Sequence, residues 1–95
     1  MTDALFDLTS FQRDLLYISA GEERPSGQEI KKELQQSFGD ISHGRLYPNL
    51  ESLVEKGYIQ KGQIDRRTNF YETTPEGLEA LRDRREWENR YVEFS

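Results

Sequence analysis

The chain has no cysteine and only one histidine, His43, among its 95 residues. The missing thiols exclude disulfides, thiolate metal sites and a thiol redox switch, and they fit a reducing compartment. A lone imidazole offers no metal constellation of recognised spacing, so no metal and no cofactor is expected. Long apolar runs are absent too, and nothing approaches the roughly 18 consecutive residues that span a bilayer. The segment from Met1 to Asp7 lacks the basic and apolar regions of a secretory signal. These absences lead to the expectation of a soluble, cytoplasmic protein. No Ser-His-Asp set, phosphate loop or paired carboxylates in a plausible pocket can be assembled, so an enzyme is not expected. The length suffices for one small domain with a modest core.

Positive charge is also scarce, with 13 basic against 18 acidic side chains and a formal net charge of −5. Such a balance argues against a nonspecific nucleic-acid binder. The distribution is uneven, however. Residues 26–71 carry seven basic and six acidic groups, whereas residues 1–25 carry two and five and residues 72–95 carry four and seven. An acidic shell with a local basic edge suits a salt-rich cytoplasm, where counterion release contributes less and base contacts must contribute more.

What the chain does contain is a clear order of elements. Thr9 or Ser10 can cap a first helix with an apolar stripe of Leu8, Phe11, Leu15 and Ile18, which leaves through a left-handed Gly21. Ser26 followed by Glu29 is a capping box for a second helix that buries Ile30, Leu34 and Phe38 and stops at Gly39. Ser42 caps a third helix whose core stripe is Leu46, Leu50 and Leu53. Pro48 falls inside its early turns, which predicts a kink or a 3₁₀ start. Tyr58 to Thr73 then reads as a hairpin turning at Asp65-Arg66-Arg67-Thr68. The two strands alone are marginal, so the hairpin must lean on the helices through Ile59, Phe70 or Tyr71, with a short third strand near Arg24-Pro25-Ser26. Thr74-Pro75 opens a fourth helix that reaches toward the chain end.

This order predicts a mainly α fold with a small β-hairpin: a winged helix-turn-helix over residues 1–74 and a dimerisation helix over 75–95. Leu78 and Leu81 are expected to close the core. Ala80, Trp87, Tyr91 and Phe94 form a second stripe, which together with Leu5 and Phe6 is expected to bury itself in a homodimer.

Gly44 to Leu53, then Glu55 to Ile59, then Arg66 to Gly77 closely resemble the pattern of PadR-like transcriptional regulators, and the preceding helices also fit that family's domain. The resemblance covers most of the chain and is nearest to the family's compact branch with one short final helix. It implies a dimeric winged-helix regulator, often a repressor, which binds operator double-stranded DNA with its third helix in the major groove and its wing along the backbone. Carried onto this sequence, Ser42, Arg45, Tyr47 and Asn49 begin the recognition helix. Arg45 has the fork for guanine and Asn49 the amide for adenine, while the Ser42 and Tyr47 hydroxyls suit phosphate. The alternatives are a solvated Arg45, or one paired with Glu51 or Glu55, and a Tyr47 flanking the core. His43 and Gln28 are phosphate neighbours on this reading, as are Lys31 and Lys32 unless they form a solvated face. Lys61, Arg66, Arg67 and Thr68 belong to the wing. Some relatives respond to aromatic molecules, which makes Trp87 at the dimer interface either plain packing or the seat of a small aromatic effector. A protein-interaction module without autonomous DNA binding is the alternative function.

Overall fold

The capping signals in the sequence set every helix start in the computed structural model, which describes residues 5–93. Helix α1 is Ser10–Ala20, α2 is Gly27–Phe38 and α3 is His43–Glu55. Strands β1, Ile59–Gln63, and β2, Asn69–Thr73, follow, and α4 is Pro75–Asn89. Thr9 settles the first cap: its hydroxyl accepts from the Gln12 amide while the Gln12 side chain accepts from the Thr9 amide. Ser26 and Glu29 form the second reciprocal box, Ser42 accepts from the Arg45 amide, and Thr74 accepts from the Gly77 amide. Each cap satisfies amides that a helix start leaves unpaired.

Helix α1 is the hub, touching α2, α3, α4 and β2. Around it Leu15, Leu16, Ile30, Leu34, Leu46, Leu50, Leu53 and Ile59 are almost fully buried. The hairpin is antiparallel, pairing Ile59 with Thr73 and Gln63 with Asn69. The expected third strand is a single bridge, Ser26 to Phe70, with the Tyr71 amide donating to the Pro25 carbonyl at 2.8 Å. Tyr71 is thereby drawn into the core at 2 % exposure, anchoring the wing to the start of α2.

Several expectations are corrected. Gly21 ends α1 in the right-handed region at φ −74°, its amide bonding back to Tyr17 and Ile18, so no left-handed exit is needed. Gly39 does take positive φ, at 77°. Pro48 neither kinks nor tightens α3, which is α-helical throughout; the carbonyl deprived of a partner belongs to Gly44, an exposed residue that water can reach. Phe38 and Leu78 remain about half exposed, at 47 % and 48 %. The core face of α4 is Gly77, Ala80 and Leu81, one turn-to-turn stripe that leaves Leu78 to the side. Leu5 and Ala80, expected at a dimer interface, are buried inside their own chain at 0 % and 1 % exposure. Phe94 lies outside the described residues, and α4 stops at Asn89.

Candidate nucleic-acid interface

The spacing that buries Leu46, Leu50 and Leu53 turns Gly44, Pro48, Glu51 and Glu55 to solvent as the outer spine of α3. Gly44 and Pro48 are small, so the first half of this spine stands low. The groups expected to contact DNA sit on its two flanks.

On the α1 flank, the Arg45 guanidinium carbon lies 4.0 Å from the centre of the Phe11 ring. Neither Glu51 nor Glu55 is its partner. Asn49 is committed: its Nδ2 donates to the Arg45 carbonyl at 2.7 Å, and its Oδ1 accepts from Gln12 Nε2 at 3.0 Å. Bonded at both ends of its amide, Asn49 is a clamp between α1 and α3, with one N–H and one oxygen lone pair left for a further partner. Ser42 spends its hydroxyl as the cap of α3, accepting from the Arg45 amide at 3.2 Å.

On the other flank, His43 and Tyr47 stack with ring centres 5.4 Å apart and planes 9° from parallel. The Tyr47 ring reaches the first residue of α2, where a Cβ on Gly27 would approach the Tyr47 hydroxyl to 2.7 Å. Glycine there lets the tyrosine lie flat across the helix start. Gln28, Tyr47, Arg67, Thr68 and Asn69 consequently line one cleft of about 220 Å³, where α2, α3 and the wing converge. Beside it Gln28, Glu29, Lys31, Lys32 and Gln35 line a shallow hollow of about 410 Å³.

The wing tip is internally braced. Asp65 Oδ1 accepts from the Arg67 and Thr68 amides, both at 2.9 Å, and those bonds hold its carboxyl below the usual carboxylate range. The Ile64 amide donates to the Thr68 carbonyl at 2.8 Å. Arg66 and Arg67 are exposed, and no ion pair joins either to another described residue. Lys61 behaves differently. Its Nζ lies 2.6 Å from Glu51 Oε1, a contact that raises the lysine pKa and ties β1 to α3. Lys61 is thus compensated rather than free, and it masks one carboxylate on the outer spine. Glu29, exposed beside Lys31 and Lys32, accepts from the Ser26 amide at 2.9 Å, the chief cause of its lowered pKa.

The opposite end gathers the aromatic residues. Phe6 meets Trp87 edge-on at 5.1 Å, Tyr91 meets it at 5.3 Å, and Arg84 lies 4.6 Å over its ring while pairing with Glu88 at 3.1 Å. Phe6, Tyr91 and Val92 remain 59 %, 71 % and 53 % exposed. A cavity of about 720 Å³ between α1 and α4 is lined by Arg13, Tyr17, Arg85, Trp87 and Tyr91 among others. Burial raises the Tyr17 pKa there. Among the described residues no group of three His, Cys, Asp or Glu side chains is placed to hold a metal. No helix among them is long and apolar enough to cross a membrane.

Residues 15–83 match the transcriptional regulator PadR-like family. The chain belongs to the PadR-like family. Its structure is also similar to RosR of H. salinarum in crystals grown from NaBr, at 44 % identity and TM-score 0.86, covering 96 % of this chain and 84 % of RosR. F93 from STIV, a winged-helix DNA-binding protein, matches at 22 % identity and TM-score 0.64, over 84 % and 85 % of the two chains. Streptococcus pneumoniae FabT in complex with DNA matches at 20 % identity and TM-score 0.71, over 88 % of this chain and 57 % of that one. The last two likenesses concern the winged-helix fold alone. Among curated protein sequences none matches.

In this PadR-like chain the residues shared with the family's pattern close the wing. The Thr74 amide donates to the Tyr58 carbonyl at 3.0 Å, and the Thr74 hydroxyl donates to the Gly57 carbonyl at 2.7 Å. Gly77 packs directly on that Tyr58 carbonyl. The end of α3, the start of β1 and the start of α4 are thus fastened at one point. Sequence reasoning passed over four residues that shape the interface: Phe11, Gln12, Gly27 and Asn69. Gly27, a glycine in a first helical turn, and Gln12, three residues after Thr9, carried local signals; Phe11 was read as core alone and Asn69 only as a strand residue.

Proposed function

We propose that this regulator binds double-stranded operator DNA sequence-specifically as a homodimer and represses by occupying the site. On this reading α3 enters the major groove, and Arg66 and Arg67 track the backbone or minor groove. The observation that carries it is the sorting of charge at one surface. Glu29, Glu51 and Asp65 are each engaged by a cap, a lysine or a turn, while Arg66 and Arg67 next to the shared cleft form no ion pair among the described residues. His43, Tyr47, Gln28 and Thr68 supply neutral donors around it, and Lys31 and Lys32 extend it along α2. Membership of a family of transcriptional regulators supports a DNA partner. A DNA-binding regulator works in the cytoplasm. Family and relatives are regulators, so no catalytic role is proposed.

The homodimer forms through the exposed Phe6 and Tyr91 and the half-buried Trp87 they flank, a patch for a two-fold partner to cover. The cavity beside Trp87 is the place for a small aromatic effector. Fluorescence anisotropy with duplex from upstream of the protein's own gene, against scrambled duplex, tests the main reading. Arg45→Ala is expected to cost about 1–3 kcal/mol on the matched duplex and to relax specificity. Equal binding to both duplexes, together with failure of a random-sequence selection, would favour a protein-interaction module, which the net charge of −5 suits. Light scattering of Trp87→Glu checks the dimer: an unchanged dimeric mass refutes this interface.

A further inference from the structure

The recognition helix carries one arginine and no lysine, so its entire permanent positive charge rests on Arg45. Two carboxylates, Glu51 and Glu55, share its outer spine. Whatever fixes Arg45 therefore fixes the only cation this helix offers a base edge. An exposed arginine samples many rotamers, and each contact it makes must first overcome that freedom.

Arg45 is not loose in this structure. Its guanidinium sits 4.0 Å over the centre of the Phe11 ring. Phe11 is itself 8 % exposed and is met by the edge of Phe38 at 6.3 Å, so the platform is held by the core. The neighbouring residue, Gln12, bonds Asn49, which bonds the Arg45 carbonyl. Side chain and backbone of Arg45 are thus both referenced to the first turn of α1.

The choice of partner matters chemically. A carboxylate would steady the guanidinium but would occupy its donors and cancel its charge, as Glu51 does to Lys61. An aromatic face steadies the cation through its quadrupole while leaving the in-plane N–H groups and the full charge available. We propose that Phe11 is a positioning residue for DNA reading: it holds the Arg45 guanidinium in one unneutralised pose, so that a helix outside the major groove determines how well α3 discriminates bases. This rests on the DNA-binding reading above and adds a specificity determinant to it.

A double-mutant cycle on the full chain tests it, using as probe the duplex the wild type enriches from a random pool and a scrambled duplex of equal length. Phe11→Leu is expected to weaken binding to the enriched duplex about tenfold and to leave the scrambled duplex within twofold. Phe11→Tyr restores the ring and the affinity. In an Arg45→Ala background, Phe11→Leu changes the enriched-duplex affinity by less than twofold. Equal losses from Phe11→Leu in both backgrounds would mean packing alone and would overturn the proposal. Should the leucine variant not fold, Phe11→Met replaces it in the same cycle. Without DNA, the Arg45 Hδ protons are expected upfield by ring current in the wild type and not in the non-aromatic variant; their absence from that position also overturns the proposal. A wild type that enriches no duplex instead refutes the DNA-binding reading itself.

Discussion

Replacing Gly77 with alanine should destabilise the protein, although helix propensity alone predicts the reverse. In an open helical position the change is worth about 1 kcal/mol in favour of alanine. At Gly77 the new Cβ would overlap the Tyr58 carbonyl oxygen and lie 2.9 Å from Thr73 Cγ2 and 3.2 Å from the Tyr58 carbonyl carbon. That oxygen cannot simply withdraw, because it accepts the Thr74 amide at 3.0 Å and forms part of the joint between β1 and α4. Overpacking against backbone costs about 1–3 kcal/mol, and loss of the hydrogen bond adds about 1 kcal/mol. The net is a loss of about 1–3 kcal/mol, which lowers the melting temperature of a domain this size by roughly 10 °C. Gly44→Ala is the internal control: also helical, its Cβ would meet nothing closer than Ser42 Oγ at 3.9 Å, so it should melt several degrees higher. Circular dichroism melts at fixed salt and protein concentration decide the matter. A Gly77→Ala melt equal to or above wild type would refute the steric argument.

Two further outcomes follow from the charge arrangement. Removing Arg66 and Arg67 together should reduce the slope of log K against log salt by about 1.8, or about 0.9 per phosphate contact, on matched and scrambled duplex alike. Lys61→Met with Glu51→Gln should leave that slope unchanged, since it deletes a compensated pair; a comparable fall for both double variants would contradict the assignment. Acid sensitivity should trace partly to the α2 cap. Glu29 has a folded pKa below its unfolded one, so its contribution is complete above the ordinary carboxylate range of about pH 4 and is lost as pH falls through the lower folded value. Denaturant midpoints measured across that range should fall less steeply for Glu29→Gln, which keeps an accepting oxygen, and an identical acid slope would dismiss the cap as the cause.

Local chemistry was readable and tertiary choice was not. The cap at Thr9 or Ser10, the box of Ser26 with Glu29 and the Thr74-Pro75 start require only neighbours within a turn, and the helix starts followed from them, although the reciprocal bond of Gln12 to Thr9 was not read. Leu46, Leu50 and Leu53 were legible because a 3.6-residue stripe of leucines has one economical orientation. Leu78 misled because α4 approaches closely enough to use Gly77 and Ala80, and bulk alone does not reveal which face is near. Asn49 was assigned to adenine by its place on the helix, but its partner Gln12 is 37 residues away and no sequence spacing announces it. Lys61 is a related case: the register between β1 and α3 places it beside Glu51, a pairing that no sequence spacing announces. The interface residues with no ion pair among the described residues, Arg66 and Arg67, were the ones composition pointed to correctly as exposed basic groups.

On the proposed DNA-binding reading, an acidic regulator meeting a polyanion has limited room for error in where its cations point. With a net charge of −5, long-range repulsion opposes approach to a polyanion, so affinity must come from contacts made at short range. Such contacts count for more when their geometry exists before binding, because less conformational freedom is lost on contact. The structure supplies that economy in three places: Arg45 rests on a buried ring, Tyr47 lies between His43 and Gly27, and Asp65 braces the loop that presents Arg66 and Arg67. None of the three depends on a surface ion pair between side chains, the kind of interaction that salt screens most readily. An interface prepared in this way loses less than a purely basic one as ionic strength rises, so the ratio of matched to scrambled affinity should hold, or improve, in salt that abolishes nonspecific binding.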